Sequence, residues 1–174
     1  ICIKEAGKTL EDSLSEVREA VDFCRYYADR SESLMEDTNL ISRGVILCIS
    51  PWNFPLAIFL GQVSAALVTG NTVIAKPAEQ TSFVALLVKD LMIEVGFPES
   101  VLELVISPGK PVGEILVSDS RIKGILFTGS TRTAGIISNI LANRPDTNIP
   151  FVAETGGQNV MIVDSTALPE QVVD

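Results

Sequence analysis

Short apolar runs alternate with helix-forming segments through most of this chain, and this alternation restricts the possible folds more than any other feature. Runs typical of buried strands begin at Val45, Thr72, Leu102 and Ile122, and each is followed by apolar residues at helical spacing. The links between them are short and are marked by glycine or proline. Strands and helices in this order form βαβ units with parallel strands. The sequence therefore predicts a doubly wound α/β fold with a mainly parallel sheet.

The expected boundaries follow from where each pattern starts and stops. An amphipathic helix is expected at residues 9–30, followed by a polar connector at 31–43. The later elements are expected as strands at 45–50, 72–75, 102–106, 122–127, 152–153 and 160–163, and as helices at 55–67, 81–95, 112–118 and 131–141. We therefore expect an N-terminal helical segment, residues 1–42, and an α/β domain, residues 43–174.

Charge and residue types argue against several classes of function. The 174 residues carry a net charge of −9, which disfavours nucleic acid or an anionic membrane as a partner. No apolar run reaches membrane-spanning length. The chain has no histidine and three scattered cysteines, so we expect neither a zinc site nor a histidine-activated nucleophile. Isolated cysteines are typical of a reducing compartment, and we expect a cytoplasmic protein.

The loops after the strands hold the candidate functional residues, because ligands of doubly wound sheets bind beyond the carboxyl ends of the strands. Residues 50–55 read S-P-W-N-F-P, where Asn53 lies in a rigid turn with Trp52 in the core or donates to a developing oxyanion. Within A-K-P-A-E-Q-T, Lys76 and Glu79 form a solvated pair or bind a ribose. Residues 107–111, S-P-G-K-P, are typical of a simple turn.

Two more candidate loops follow the later strands. In F-T-G-S-T, Ser130 is an ordinary N-cap or, with Gly129 and the first helical N–H groups, part of an anion site. The usual G-x-G-x-x-G fingerprint is absent. In A-E-T-G-G, Glu154 is held in a tight, solvent-poor bend or is an exposed carboxylate in a turn. Taken singly, each loop leaves both interpretations open.

Four of these motifs, P-W-N-F-P, K-P-A-E-Q-T, F-T-G-S-T and E-T-G-G, follow one another in the order and at the spacing of aldehyde dehydrogenases. The chain resembles that superfamily from Gly44 to its end, and the first helix also fits. Residues 16–23, 49–62, 76–81 and 153–165 are similar, more narrowly, to the L-glutamate-γ-semialdehyde dehydrogenase part of bifunctional proline-utilisation enzymes. The resemblance implies a Rossmann-like sheet and oxidation of that aldehyde to L-glutamate in proline degradation.

The resemblance also implies an NAD cofactor on the carboxyl edge of the sheet. It places Ile49, Pro51 and Trp52 along the cofactor, Lys76 and Glu79 at the adenosine ribose, Gly109 and Gly113 near the adenine, and Phe127, Gly129 and Ser130 near the pyrophosphate and nicotinamide ribose. An acid at the position of Glu79 favours NAD over NADP, because it hydrogen-bonds a free ribose hydroxyl. Residues 43–174 are then the NAD-binding domain.

The chemistry implied by the family starts when a cysteine thiolate attacks the aldehyde; hydride transfer and hydrolysis of the thioester by water follow. The match makes Asn53 the side-chain oxyanion donor and Glu154 the general base that activates the water. No cysteine follows Glu154, although the family's nucleophile lies well downstream of it. We therefore expect Cys2, Cys24 and Cys48 to be buried or incidental thiols.

The absent nucleophile and the absent initiator methionine together predict a segment of a longer enzyme. We expect its NAD-binding domain to be incomplete at the C-terminus and the isolated chain to be inactive. The complete enzyme is expected to take a small-molecule aldehyde and to be able to form a homo-oligomer. Two alternatives stay open: a non-catalytic dinucleotide-binding or interaction protein, and an aldehyde dehydrogenase with another substrate preference.

Overall fold

A single five-stranded parallel sheet forms the centre of the computed structural model, which describes residues 1–37, 39–146, 148–158 and 160–173. The strands are β1 (Val45–Ile49), β2 (Thr72–Lys76), β3 (Leu102–Leu104), β4 (Ile122–Gly129) and β5 (Phe151–Thr155). Their order is β3-β2-β1-β4-β5, and every pairing is parallel. This confirms the predicted doubly wound α/β sheet.

Helices cover both faces of the sheet. The α-helices of the described chain are α1 (Cys2–Ala6), α2 (Leu10–Met35), α3 (Ala57–Val68), α4 (Ser82–Glu94), α5 (Gly109–Ser118), α6 (Thr131–Ala142) and α7 (Pro169–Val173). Helices α3 and α4 pack on one face through Phe59, Val63 and Val88, whereas α5 and α6 pack on the other through Val117 and Ile137. A parallel sheet covered in this way is buried on both sides, which explains why its strands read as continuous apolar runs.

Alternation along β1 divides the core between the two faces. Ile46 and Cys48 pack with the α3 and α4 side, and Leu47 packs with the α5 and α6 side. The chain first winds from β1 to β2 and β3 and then returns to the other side of β1 as β4. The direction of winding therefore reverses between β1 and β4. Such a switch point opens a crevice at the carboxyl ends of the strands.

Helix α2 lies along α3 and is longer than predicted. The ring of Phe23 comes within 3.0 Å of the point where a Cβ on Gly61 would lie, so the missing side chain permits the close packing. The helix continues to Met35, and the connector expected at residues 31–43 is therefore wrong in its first part. Ser31 is accommodated within the helix, where its hydroxyl donates to the Ala28 carbonyl at 2.8 Å.

Two further boundary predictions are wrong. Residues 160–163 have no regular secondary structure, because no neighbouring strand in the described part of the chain pairs with them, and their side chains are exposed. Helix α5 begins at Gly109, so the turn expected at residues 107–111 ends three residues early. Pro111 is compatible with this start because the N–H groups of a first helical turn have no helical partner.

Candidate functional site

The carboxyl ends of the central strands bring several expected site residues into one row. Ile49 of β1 is in register with Lys76 of β2 on one side and with Phe127 of β4 on the other. Phe127 is in turn in register with Ala153 of β5. Neighbouring strands are about 4.8 Å apart, so residues from three separate motifs become neighbours across the switch point.

A cleft with a volume of about 520 Å³ opens beside this row, between α5 and α6. It is lined by Ile49, Lys76, Gly109, Gly113, Glu114, Val117, Ser130, Arg132, Thr133, Ile136, Ile137 and Ile140. The lining includes five of the residues expected to bind the cofactor. The other five, Pro51, Trp52, Glu79, Phe127 and Gly129, lie outside it. A second cleft of equal volume, between α2, α3 and α4, has an almost wholly apolar lining.

Lys76 is the most unusual group in the candidate cleft. Its exposed fraction is only 5%, and its Nζ donates a single hydrogen bond, to the Pro77 carbonyl at 3.3 Å. In the described part of the chain no carboxylate lies within 4.0 Å of it. Burial lowers the pKa of Lys76, and the charge of Glu79 offsets part of that effect. A buried cation with spare donors is typical of a ligand site, and the solvated pair is ruled out.

The start of α6 combines an ordinary cap with an accessible helix terminus. Ser130 is the N-cap, and its hydroxyl accepts from the Thr133 backbone N–H at 3.2 Å. The terminus faces the cleft, where its N–H groups and positive dipole end favour an anion. Arg132 also lines the cleft and forms no ion pair within the described residues. Arg132 was not among the site residues expected from the sequence, although it directly follows F-T-G-S-T in the first turn of α6.

Glycines at the site serve two different purposes. A Cβ on Gly129 would lie 2.7 Å from the Phe127 ring, so this glycine makes room for a buried core aromatic. A Cβ on Gly109 or Gly113 would meet nothing within 4 Å. Packing within the chain therefore does not require those two glycines, and both border the cleft.

Asn53 lies in the connection between β1 and α3, as the motif predicts. It is exposed, and its neighbour Trp52 is 55% exposed, so the alternative of a core tryptophan is wrong. The connection leads to the face of the sheet that α3 covers. Asn53 thus lies at the same sheet edge as the cofactor candidates but outside their cleft.

Glu154 belongs to β5 rather than to a bend. Its Cα pairs with Thr128, because β4 extends far enough to hold the last residues of β5 in register. Parallel register places the side chains of Glu154 and Thr128 on the same face, and Thr128 contacts Gln62 of α3. Glu154 is exposed in the described chain, so the solvent-poor bend is wrong. The exposed carboxylate of the alternative interpretation is confirmed, but it lies in a strand and not in a turn.

Gln62 links the carboxyl ends of β1 and β4. Its Nε2 donates to the Ile49 carbonyl at 3.3 Å and to the Thr128 hydroxyl at 3.1 Å. The ends of β1 and β5 are separated by two strand spacings, or about 10 Å. Nothing in the sequence singled out Gln62 for this bridging position.

None of the three cysteines lines the candidate cleft. Cys48 is the fourth of the five residues of β1, where burial raises the pKa of its thiol to about 12. Cys2 is buried in α1, and Cys24 is exposed on α2. The described residues contain no cluster of three or more metal-ligand side chains. None of the helices described is both long and apolar enough to pass through a bilayer.

A parallel sheet with a crevice at its switch point, beside a buried lysine and a helix N-terminus, is the architecture of doubly wound nucleotide-binding folds. The sequence profile of the aldehyde dehydrogenase family matches residues 1–174, and the chain belongs to that family. It is 49% identical to the bifunctional protein PutA of Salmonella typhimurium over 176 aligned residues. That alignment covers 99% of this chain and 13% of the relative.

Solved structures show the same relationship. A crystal structure of a Bradyrhizobium japonicum Proline Utilization A (PutA) mutant matches with a TM-score of 0.89 and 50% identity, covering 98% of this chain and 19% of that one. A 1-pyrroline-5-carboxylate dehydrogenase from Thermus, with bound NAD, matches with a TM-score of 0.81 and 34% identity. It covers 90% of this chain and 33% of its own. The chain thus spans a third or less of these relatives.

Proposed function

We propose that this chain is the cofactor-binding part of an NAD-dependent dehydrogenase that oxidises L-glutamate-γ-semialdehyde to L-glutamate in proline degradation. The cofactor assignment depends above all on Lys76, a buried lysine with one hydrogen bond beside a cleft of about 520 Å³. The substrate is inferred from the likeness to PutA and to 1-pyrroline-5-carboxylate dehydrogenase.

The residues around the cleft fit the parts of NAD. Lys76 and Glu79 would hydrogen-bond the adenosine ribose, and Gly109 and Gly113 leave room for the adenine. Ser130 and the start of α6 would hold the pyrophosphate. We assign Ile49, Pro51, Trp52, Phe127 and Gly129 to the remaining length of the cofactor. NAD, when bound, supplies the hydride acceptor.

Asn53 and Glu154 are the proposed catalytic residues of this segment. The Asn53 amide would donate a hydrogen bond to the oxygen of the aldehyde as negative charge develops there. Glu154 would take a proton from the water that attacks the acyl intermediate. The nucleophile would be a cysteine of the complete enzyme. Cys48 is unsuitable because its thiol is buried and its pKa is raised to about 12.

The cofactor preference is tested by titrating the chain with NAD and NADP in a calorimeter. Glu79 carries a negative charge close to the proposed ribose site, so NADP should bind more weakly. Glu79→Gln should reduce the difference in affinity between NAD and NADP, whereas the exposed control Glu99→Gln should leave that difference unchanged. Equal binding of both dinucleotides to the unmodified chain would contradict the assignment.

The substrate is tested on a complete enzyme that contains this segment. We expect faster NADH formation with L-glutamate-γ-semialdehyde than with unsubstituted short aldehydes. Asn53→Ala should lower kcat by about 10²–10³-fold, as loss of one oxyanion donor does elsewhere. If the Asn53→Ala enzyme has the kcat of the wild type, Asn53 is not the oxyanion donor.

The proposal also includes the cellular compartment and the oligomeric state of the complete enzyme. We infer a cytoplasmic enzyme from the three free cysteines. We infer a homo-oligomer for the complete enzyme, which sedimentation analysis of that protein would test.

A further inference from the structure

A buried carboxylate from α2 caps the helix that follows the Asn53 loop. The side chain of Glu16 is fully buried, and its Oε1 accepts from the backbone N–H groups of Leu56 at 2.8 Å and Ala57 at 3.2 Å. Leu56 is the N-cap residue of α3 and provides no side-chain cap of its own. Glu16 therefore takes the place of a local cap and complements the positive end of the helix dipole.

Lys8 connects this cap to the other side of the same loop. Its Nζ lies 2.7 Å from Glu16 Oε2 as an ion pair, and 3.9 Å from the centre of the Phe54 ring. Lys8 is nearly buried as well, with 10% of its side chain exposed. The pair thus contacts residue 54 directly and residues 56 and 57 through hydrogen bonds.

Asn53 lies immediately before these contacts. In the part of the chain that the structure describes, its own side chain makes no hydrogen bond, so its position depends on the backbone that flanks it. A buried ion pair adds little net stability compared with apolar packing, because both charges lose their hydration. Stability alone therefore does not account for a buried Lys–Glu pair at this point.

We propose that Lys8 and Glu16 are positioning residues that hold the loop of residues 51–56 and thereby orient the Asn53 amide. The proposal rests on the function proposed above, in which Asn53 is the oxyanion donor. Glu16 determines where α3 begins, and Lys8 places the Phe54 ring. Together they join the N-terminal helical segment to the catalytic edge of the sheet.

Trp52 provides a specific test, because it is the only tryptophan and lies in this loop. Time-resolved anisotropy of Trp52 measures local motion of the loop in the folded chain. Glu16→Ala should increase the amplitude of that motion, by about twofold if the loop detaches from its cap. Glu16→Gln keeps an acceptor for the two N–H groups and should restore much of the order. Lys8→Met supplies an independent variant if Glu16→Ala does not fold.

Arg144→Met is the matched control. It removes a buried cation whose hydrogen bonds are to the Val117 and Ile122 carbonyls and to Asp146, far from residues 51–56 in sequence. It should destabilise the chain without changing Trp52 motion. Unchanged Trp52 motion in Glu16→Ala and Lys8→Met, or an equal change in Arg144→Met, would overturn the positioning role.

The same variants in a complete enzyme separate this inference from the proposed function. Glu16→Ala should lower kcat by about tenfold or more and leave the NAD dissociation constant unchanged, with partial rescue by Glu16→Gln. Increased Trp52 motion together with reduced kcat supports the positioning role. If Trp52 motion increases while kcat stays at the wild-type value, the loop contacts are established and the positioning role fails. Asn53→Ala then shows separately whether the catalytic assignment of Asn53 holds.

Discussion

Replacing Lys76 with methionine should make the chain more stable and its cofactor binding weaker. Methionine keeps the apolar length of the side chain and removes a charge that is 95% shielded from solvent and has no carboxylate within 4.0 Å in the described chain. The substitution removes only one hydrogen bond, the long one of 3.3 Å that Lys76 Nζ donates to the Pro77 carbonyl. A net gain of about 1–2 kcal/mol in the free energy of unfolding is expected, because replacing a buried charge that has no ion-pair partner with an apolar side chain removes its desolvation penalty.

The two effects have measurable sizes. For a chain of this length, about 1 kcal/mol corresponds to about 2–4 °C in Tm, so Tm should rise by about 2–8 °C. A hydrogen bond from a charged donor contributes about 1.5–3 kcal/mol, so NAD affinity should fall about tenfold to a hundredfold. Scanning calorimetry without cofactor and titration calorimetry with NAD measure the two quantities on the same preparations.

The pH dependence provides an internal check. Because the pKa of Lys76 is lowered in the folded chain, burial of its charge opposes folding fully below that folded pKa. As pH rises towards the ordinary lysine value of 10.5, the unfolded chain also loses the proton and the penalty disappears. The Tm difference between Lys76→Met and the unmodified chain should therefore shrink at high pH.

Lys123→Met is the control for the Lys76 experiment. Lys123 is an exposed lysine of β4 outside the cleft, with a hydrogen bond to the Ser120 carbonyl at 2.7 Å. Its loss should change stability by about 0.5 kcal/mol or less and leave NAD binding as it was. Lower stability of Lys76→Met with undiminished NAD affinity would refute the reasoning, since it would make Lys76 a structural residue.

Three further outcomes follow from the structure. Gly129→Ala should lower the free energy of unfolding by about 1–3 kcal/mol in denaturant titration, because its Cβ would lie 2.7 Å from the buried Phe127 ring; Gly113→Ala, which meets nothing within 4 Å, should not. Arg144→Ala should destabilise by about 2–5 kcal/mol, since two buried carbonyls lose their donors. The chain alone should form no NADH from aldehyde, and turnover abolished by Cys48→Ser would show that the buried Cys48 thiol ionises and reacts despite its raised pKa.

The parts of the fold that depend on local sequence could be predicted. Apolar runs with β-branched residues gave the four strands from Val45 to Gly129, and the periodic segments between them are helices. Residues 160–163 have the same local character, yet they form no strand in the described chain. A strand requires hydrogen bonds from a neighbouring strand, and the composition of a segment does not reveal whether such a neighbour exists.

For the candidate site as well, the identity of the residues could be predicted from local sequence, but their burial could not. Lys76 and Ser130 could be proposed because each follows a strand and has a chemistry that suits a nucleotide. Their meeting in one cleft follows from parallel register, which the alternation of elements implies. Burial of Lys76 could not be predicted, because a lysine beside an acid is usually solvated and only the packed structure shows how little of it is exposed.

The contacts that order the carboxyl edge of the sheet are the most difficult to predict from the sequence. Glu16 bonds to N–H groups 40 and 41 residues away, and Gln62 joins its own helix to a hydroxyl 66 residues away. Neither residue lies in a motif that predicts a chemical role. An acid in an amphipathic helix and an amide in an apolar helix are both common, so neither residue stands out in the sequence. Their importance comes from the backbone groups they meet, since a helix N-terminus and a strand end need partners wherever the fold places them. Residues that position a catalytic group can therefore lie far from it in sequence, and the α2 segment is the first place in this chain to seek them.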